Sequence, residues 1–419
     1  MWSIQGMAFV PGRAGGVVRR GLVAADANAV LVLTHHELSG LTGRPAGLIV
    51  VDGAPFSHRM LGLFRRSIPT VLLTRQQATG LAPGASVELD GALGMVAEPG
   101  GLPPPLAEPT PAGRSGAATA DAETVYLHAS VSDARGARLA LERGAGAIGL
   151  VRSELLDVGG DAPPDAAAYE ASLAALCQAA AGLAVTVRLP DFTLDKQPPW
   201  LAFPSQAGGL LGQQGCRLYG QPQVRSVLVA VLQAVGRLAV DHRLALLVPY
   251  LTFPEEFRHW RLRIEDILSV PVPLAPMVET PAAALEMAQW LELADRVAVG
   301  CNDLMQCLFA VDRDNPQLVQ WMEPYAPALY RFLRLMARAA GEGRARIQLC
   351  GLLPQLPGVL PVLIGLGYRV FSVEPLMVAH LARCVSLLDV EGAQRLAEGV
   401  CAAPDAAGVR ALLDLGGRA

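Results

Sequence analysis

The chain has 419 residues, 52% of them apolar and only 17% charged, with a formal net charge of −4. This balance leaves no basic footprint for nucleic acid or for an anionic membrane surface. The length suits two or three domains, or one small domain beside a large barrel.

Residues 1–96 read as a small α/β or β-rich unit. Short apolar runs at 29–35 (AVLVLTH), 47–53 (GLIVVDG) and 70–74 (TVLLT) look like strands, with a helical stretch at 57–66. The unit closes on SVELDGALGMV at 86–96, a hairpin pattern around Asp90-Gly91. The stretch 97–124 is rich in Pro, Gly and Ala and reads as an extended or disordered linker. A Pro-rich surface loop inside one domain is the alternative.

Across 125–419, strand and helix patterns alternate. Strands are expected at 124–130, 147–151, 184–189, 244–250, 272–279, 296–300, 346–350 and 368–373. Amphipathic stretches at 132–143, 166–181, 222–239, 281–294 and 326–341 lie between them. Eight strands with helical crossovers predict an α/β chain with a C-terminal (β/α)8 TIM-type barrel. A doubly wound open sheet is the alternative, but no G-x-G-x-x-G follows the first strand.

Barrel enzymes carry their chemistry at the C-terminal ends of the strands. Here the second strand ends in Arg152, the third in Arg188 and the fifth in Glu279. The sixth runs into Asn302 and Asp303, the seventh ends in Cys350 and the eighth at Ser372. Any one of these could be a surface charge or a buried thiol; their concerted placement at one rim sets them apart. Glu279 and Asp303 offer two hard carboxylate oxygens from neighbouring strands, which suits Mg²⁺. Arg152 and Arg188 could clamp a phosphate bidentately, with Arg217, Arg313 and Lys196 as further cations. A divalent metal with several Arg forks suits a compact anion bearing carboxylate and phosphate.

The segments GAGAIGLVRSELL (144–156), VRLPDFTLDK (187–196), PMVETPAAALEMA (276–288), VGCNDLMQCLFAVDRDN (299–315) and QLCG (348–351) resemble the barrel of the phosphoenolpyruvate-utilising enzymes. That family includes Enzyme I of the sugar phosphotransferase system, phosphoenolpyruvate synthase and pyruvate phosphate dikinase, and the barrel is most similar to Enzyme I. The resemblance implies phosphate contacts from Arg152, Arg188 and Arg313, helped by Asn302, with Arg217 in the same site. It implies Mg²⁺ ligands at Glu279 and Asp303, and Cys350 as proton donor to the methylene carbon of the enolate. A weaker resemblance over 1–96, carried by DGAPFSHRMLGLFRRSIPTVLL (52–73), is to the swivelling phosphohistidine domain, with His58 at the acceptor position. Without that resemblance, His58 would read as a surface histidine at a helix start. The family also implies a homodimer through the barrel.

Several family features are altered. Gly53, Ala54 and Phe56 stand where a glycine pair and a threonine are usual, and bulky Arg59 and Met60 follow His58. Leu211-Gly212 replaces Asn-Pro, Gly220 replaces a second arginine, and Leu352 replaces an acidic residue after Cys350-Gly351. The chain passes between its first strands in too few residues to hold the carrier-protein-binding helical domain, and an ATP-binding domain is not expected among the residues before them.

The expected domains are therefore a swivelling phosphohistidine-like unit at 1–96, a linker at 97–124 and a PEP-binding barrel at 125–419. The expected function is an Mg²⁺-dependent phosphotransferase that moves the phosphoryl group of phosphoenolpyruvate to His58 and releases pyruvate. A separate protein would then accept that group. The alternatives are a regulatory protein that binds phosphoenolpyruvate or pyruvate without turnover, and a lyase acting on a pyruvate-like acid. Seven cysteines without paired spacing suggest reduced thiols in a cytoplasmic protein. The N-terminus lacks a charged and then apolar leader, so no signal peptide is expected. The uncharged stretches 197–216 and 347–368 are broken by Pro and Gly, and neither reads as a membrane span. His35-His36 follows a strand and reads as a turn, and Cys301 and Cys307 read as packing thiols.

Overall fold

A computed structural model describes residues 2–22, 27–104, 116–193, 197–201, 212–315 and 317–415. The chain forms two compact units. The smaller comprises Met1–Glu108 with Val311–Glu323, and the larger comprises Pro109–Ala310 with Pro324–Leu415.

The smaller unit is built on one mixed sheet. Its strands are β1 (Ser3–Gln5), β2 (Met7–Val10), β3 (Arg13–Arg20), β4 (Ala29–Thr34), β5 (Gly47–Val51), β6 (Thr70–Leu73), β7 (Ser86–Asp90) and β8 (Met95–Ala97), in the order β1-β8-β7-β3-β4-β5-β6-β2. The parallel centre, β3 to β6, holds the three apolar runs expected as strands. Those runs lack polar alternation because β4, β5 and β6 are buried on both faces, apart from Thr34. The hairpin pairs Glu88 with Ala97, Leu89 with Val96 and Asp90 with Met95. Asp90 Oδ1 accepts the N–H groups of Ala92 and Leu93 at 2.9 and 3.0 Å and so shapes the turn. Gly91 is required there, because a Cβ would lie 1.8 Å from the Val10 carbonyl oxygen. The helix His58–Arg66 crosses from β5 to β6, with Ser57 as its cap: Ser57 Oγ accepts the Met60 N–H at 3.3 Å.

The larger unit opens with β9 (Ala117–Ala118), which pairs antiparallel with β10 (Thr124–Val131). Then follow β11 (Ile148–Arg152), β12 (Val185–Arg188), β13 (Leu244–Leu251), β14 (Leu274–Val278), β15 (Val297–Gly300), β16 (Ile347–Cys350) and β17 (Val370–Val373). Strands β10 to β17 pair with one another in parallel, and β10 pairs with both β11 and β17, so these eight strands close into a barrel. All eight expected strands are present within a few residues. The stretch read as linker has sheet at both ends, since Ala97 ends β8 and β9 lies at 117–118, while 105–115 falls outside the described residues.

Helices separate the barrel strands as a parallel sheet demands. Asp133 and Asp165 cap two of them, and Pro222, Pro254, Pro281, Pro327 and Pro375 sit in the first turns of five. The helical stretch expected at 281–294 divides at Glu286 into Pro281–Leu285 and Met287–Leu293. The fully buried Trp290 spans that break, donating its indole N–H to the Ala283 carbonyl at 2.8 Å. No helix among the described residues is long and apolar enough to cross a membrane.

Two outer helices, Val359–Gly365 and Val390–Ala402, approach so closely that a Cβ on Gly365 would lie 2.0 Å from the Ala393 carbonyl oxygen. Gly365→Ala must push these backbones apart. It is expected to cost about 1–3 kcal/mol, read as a lower urea midpoint at unchanged slope.

Candidate active site at the barrel rim

Strands β14 and β15 run side by side, with Met277 opposite Ala298 and Val278 opposite Val299. Glu279 therefore emerges beside Gly300, and Asn302 and Asp303 follow in the first turn of the helix Cys301–Phe309. Glu279 is 1% exposed and Asp303 7%. The Tyr250 N–H donates to Glu279 Oε2 at 2.8 Å, from a tyrosine held at φ 56°, a left-handed conformation costly for a side chain of this size. Glu279 Oε1 accepts no hydrogen bond among the described residues, and Arg188 Nη1 lies 3.7 Å from it. Burial, and then the negative charge of Asp303, hold the Glu279 carboxyl well above the usual carboxylate range. Two closed-off carboxylates that repel each other suit a small hard cation between them. Gly300 makes room for this arrangement, since a Cβ there would meet Glu279 Oε1 at 2.4 Å.

Arg152 and Arg188 face each other in register across β11 and β12. Arg188 is 3% exposed; it is paired with Glu154 and, at 2.8 Å, with Asp191. Burial alone would make its cation harder to keep, but Asp191, Glu154 and Glu279 more than offset that, so the guanidinium stays charged. Sequence reasoning missed Glu154 and Asp191. The available signal was an acidic residue two or three positions beyond each arginine in a chain poor in charge.

Asn302 and Cys350 are tied through the turn that follows β16. Asn302 Oδ1 accepts the Leu352 N–H at 3.1 Å, and Gly351 sits at φ +109° with Asn302 Oδ1 where a Cβ would be, at 2.7 Å. Leu352 is 2% exposed and packs into the core. Cys350 is 1% exposed, and burial pushes its thiol up to about 12, so it carries its proton at neutral pH. Behind it, Gln348 Nε2 lies 3.2 Å from Cys350 Sγ and 3.0 Å from the Gly149 carbonyl, while Gln348 Oε1 lies 2.8 Å from His128 Nδ1. Arg217 sits over the Tyr250 ring at 5.0 Å and donates to Thr252 Oγ1 at 2.7 Å. It thus braces the residue whose N–H holds Glu279. Gln214 Nε2 reaches Asp303 Oδ1 at 3.4 Å. Lys196 and Leu211 lie outside the described residues.

His58 and Arg313 meet within the smaller unit. The His58 N–H donates to Asp314 Oδ1 at 2.9 Å, and Asp314 Oδ2 is 3.1 Å from His58 Nδ1. Arg313 Nη2 is 3.0 Å from His58 Nε2. Of the two bulky residues after His58, Met60 is buried in the core and only Arg59 is exposed. His35 is buried too, and its Nδ1 accepts the Ala54 N–H at 3.4 Å, while His36 opens a short 3-10 helix. Burial keeps His35 below the usual histidine range.

The model of the family described as "PEP-utilising enzyme, PEP-binding domain" matches residues 108–389. The chain belongs to that family. It is 29% identical over 392 residues to the multiphosphoryl transfer protein of Rhodobacter capsulatus, covering 87% of this chain and 46% of that one. It is 29% identical over 404 residues to the phosphoenolpyruvate-protein phosphotransferase of Haloferax volcanii, covering 89% and 68%. The counterpart in Bacillus subtilis is 26% identical over 290 residues, covering 67% and 50%. The chain thus spans about half the length of most of these curated relatives. The match to the PEP-binding domain includes Arg152, Arg188, Glu279, Asn302, Asp303 and Cys350.

His128 gives this site a pH signature. Burial lowers it from 6.5 to about 4, so below pH 6.5 the unfolded chain takes up a proton that the folded chain refuses. Stability contributed by neutral His128 is present above pH 6.5 and is lost as pH falls toward 4. The loss approaches about 3 kcal/mol, given roughly 1.4 kcal/mol for each pKa unit. The urea midpoint should fall more steeply between pH 7 and about 4.5 in the wild type than in His128→Leu.

Proposed function

We propose that the chain is an Mg²⁺-dependent phosphotransferase that transfers the phosphoryl group of phosphoenolpyruvate to His58 and releases pyruvate. The observation that carries this reading is the buried pair Glu279 and Asp303 beside Arg188, Arg152 and a protonated Cys350. Glu279 and Asp303 would hold Mg²⁺, whose charge would stabilise the enolate and the transferring phosphoryl oxygens. Arg152 and Arg188 would take the phosphate, with Asn302 and Arg217 beside them. Cys350, a thiol and not a thiolate at neutral pH, is suited to give a proton to the enolate carbon.

The His58 surroundings suit an acceptor. Asp314 against Nδ1 keeps the hydrogen on that nitrogen, which leaves the Nε2 lone pair as nucleophile. Arg313 at Nε2 would meet the incoming phosphoryl oxygens. The same reading makes 1–96 a swivelling phosphohistidine-type domain, 97–124 the linker and 125–419 the catalytic barrel. A separate protein would take the phosphoryl group onward. We also propose a cytoplasmic homodimer.

The test is to incubate the full chain with Mg²⁺ and phosphoenolpyruvate and follow intact mass. One acid-labile phosphoryl group and one pyruvate per chain are expected, with no label in His58→Ala or after chelation of the metal. Asp303→Asn should slow labelling by about 100-fold or more, the scale of losing one preorganised electrostatic contact. Mg²⁺-dependent binding of phosphoenolpyruvate without any label would sink the transfer mechanism.

A further inference from the structure

We propose that Gln348 is a positioning residue for the Cys350 thiol, locked in place by His128. This inference rests on the reading of Cys350 as proton donor to the enolate.

Gln348 and Cys350 are two apart on β16 and so share a face of the strand. Register places His128 opposite Ser372, and Ser372 opposite Cys350, so three neighbouring strands bring these groups to one tier of the barrel. The carboxamide has one orientation that satisfies its surroundings. Its oxygen can only accept, which assigns the hydrogen of the 2.8 Å contact to His128 Nδ1. Its nitrogen carries two hydrogens, and two acceptors face it: the Gly149 carbonyl at 3.0 Å and Cys350 Sγ at 3.2 Å. Turning the amide over would set its oxygen against the Gly149 carbonyl oxygen. Burial keeps the imidazole neutral, so the donor at Nδ1 is fixed. Gly149 leaves space for the chain of bonds, because a Cβ there would lie 2.8 Å from Gln348 Oε1 and 2.8 Å from His128 Cβ.

An N–H directed at the sulfur occupies one of its lone pairs, while the S–H makes only a long contact, 4.0 Å, to the Gln348 backbone carbonyl. Around Cys350 the packed core is otherwise Leu150, Leu247, Met277 and Ala298. An apolar residue would fill the place of Gln348 at lower cost, since buried polar groups must all be satisfied. In the protonation step the S–H bond breaks and a C–H bond forms at the methylene carbon from the enolate electron pair. The sulfur is left as a thiolate, which the same Gln348 N–H stabilises until a proton returns from water.

The test uses the full chain and Gln348→Met, which keeps length and bulk but has no N–H. A C3-methyl homologue of phosphoenolpyruvate in D₂O reports who delivers the proton: one C3 enantiomer from the enzyme, both from solvent. The wild type is expected to give one enantiomer. Gln348→Met should give a mixture while labelling His58 within about 2-fold of the wild-type rate, because the phosphoryl step does not use the thiol proton. Alkylation of Cys350, mapped by peptide mass at pH 9, should slow about 5-fold in the variant, the factor for one hydrogen bond lost from the thiolate. His128→Leu combined with Gln348→Met should add nothing further if His128 acts through Gln348, and it removes both ends of the polar chain should the single variant fold poorly. A single enantiomer and unchanged alkylation in Gln348→Met would overturn the proposal. A wild type that never labels His58 would overturn the functional reading instead, and the alkylation contrast would still decide whether Gln348 holds the sulfur.

Discussion

A buried guanidinium set among carboxylates governs the rim of the barrel. Arg188, Glu154, Asp191 and Glu279 are nearly closed to solvent, and Asp303 lies close by. Taking such charges out of water is expensive, and removing one partner would leave another uncompensated. The arrangement persists because eight parallel strands end at one level and hold the charged groups within reach of each other. The excess of negative charge around Glu279 is the part that a bound cation would relieve. That unrelieved repulsion ties the fold to the chemistry proposed for it.

The same rim demands backbone without side chains at particular points. Gly300 gives Glu279 its place, Gly351 gives Asn302 its place, and Gly149 clears the space used by His128 and Gln348. Each constraint is steric and acts across strands, so the carboxylate, the amide and the thiol are positioned by what their neighbours lack. Tyr250 adds a strained backbone whose N–H is spent on Glu279, with Arg217 stacked over its ring. Strain kept at such a point is consistent with a site whose surroundings over-determine it.

Much of this was legible in the amino-acid order. Strands buried on both faces carry uninterrupted apolar runs, so the eight barrel strands and the centre of the smaller sheet stand out from a chain that is only 17% charged. Polar residues at the ends of those runs, Arg152, Arg188, Glu279, Asp303 and Cys350, mark the rim because parallel strands all end on one side. Strands β1 and β2 were less visible: they are only three and four residues long and pair through the sheet edges. The break at Glu286 was invisible, since it depends on where the Trp290 indole finds its acceptor.

Local sequence thus determined the barrel, the rim and the residue types gathered there, because periodicity and strand-end placement are properties of consecutive residues. Tertiary structure alone decided their partners. His128 and Gln348 are 220 positions apart, Glu279 meets a backbone N–H 29 positions away, and Asp314 reaches His58 across 256. Such pairings are created when the sheets close and the chain returns on itself, and no spacing along the chain encodes them.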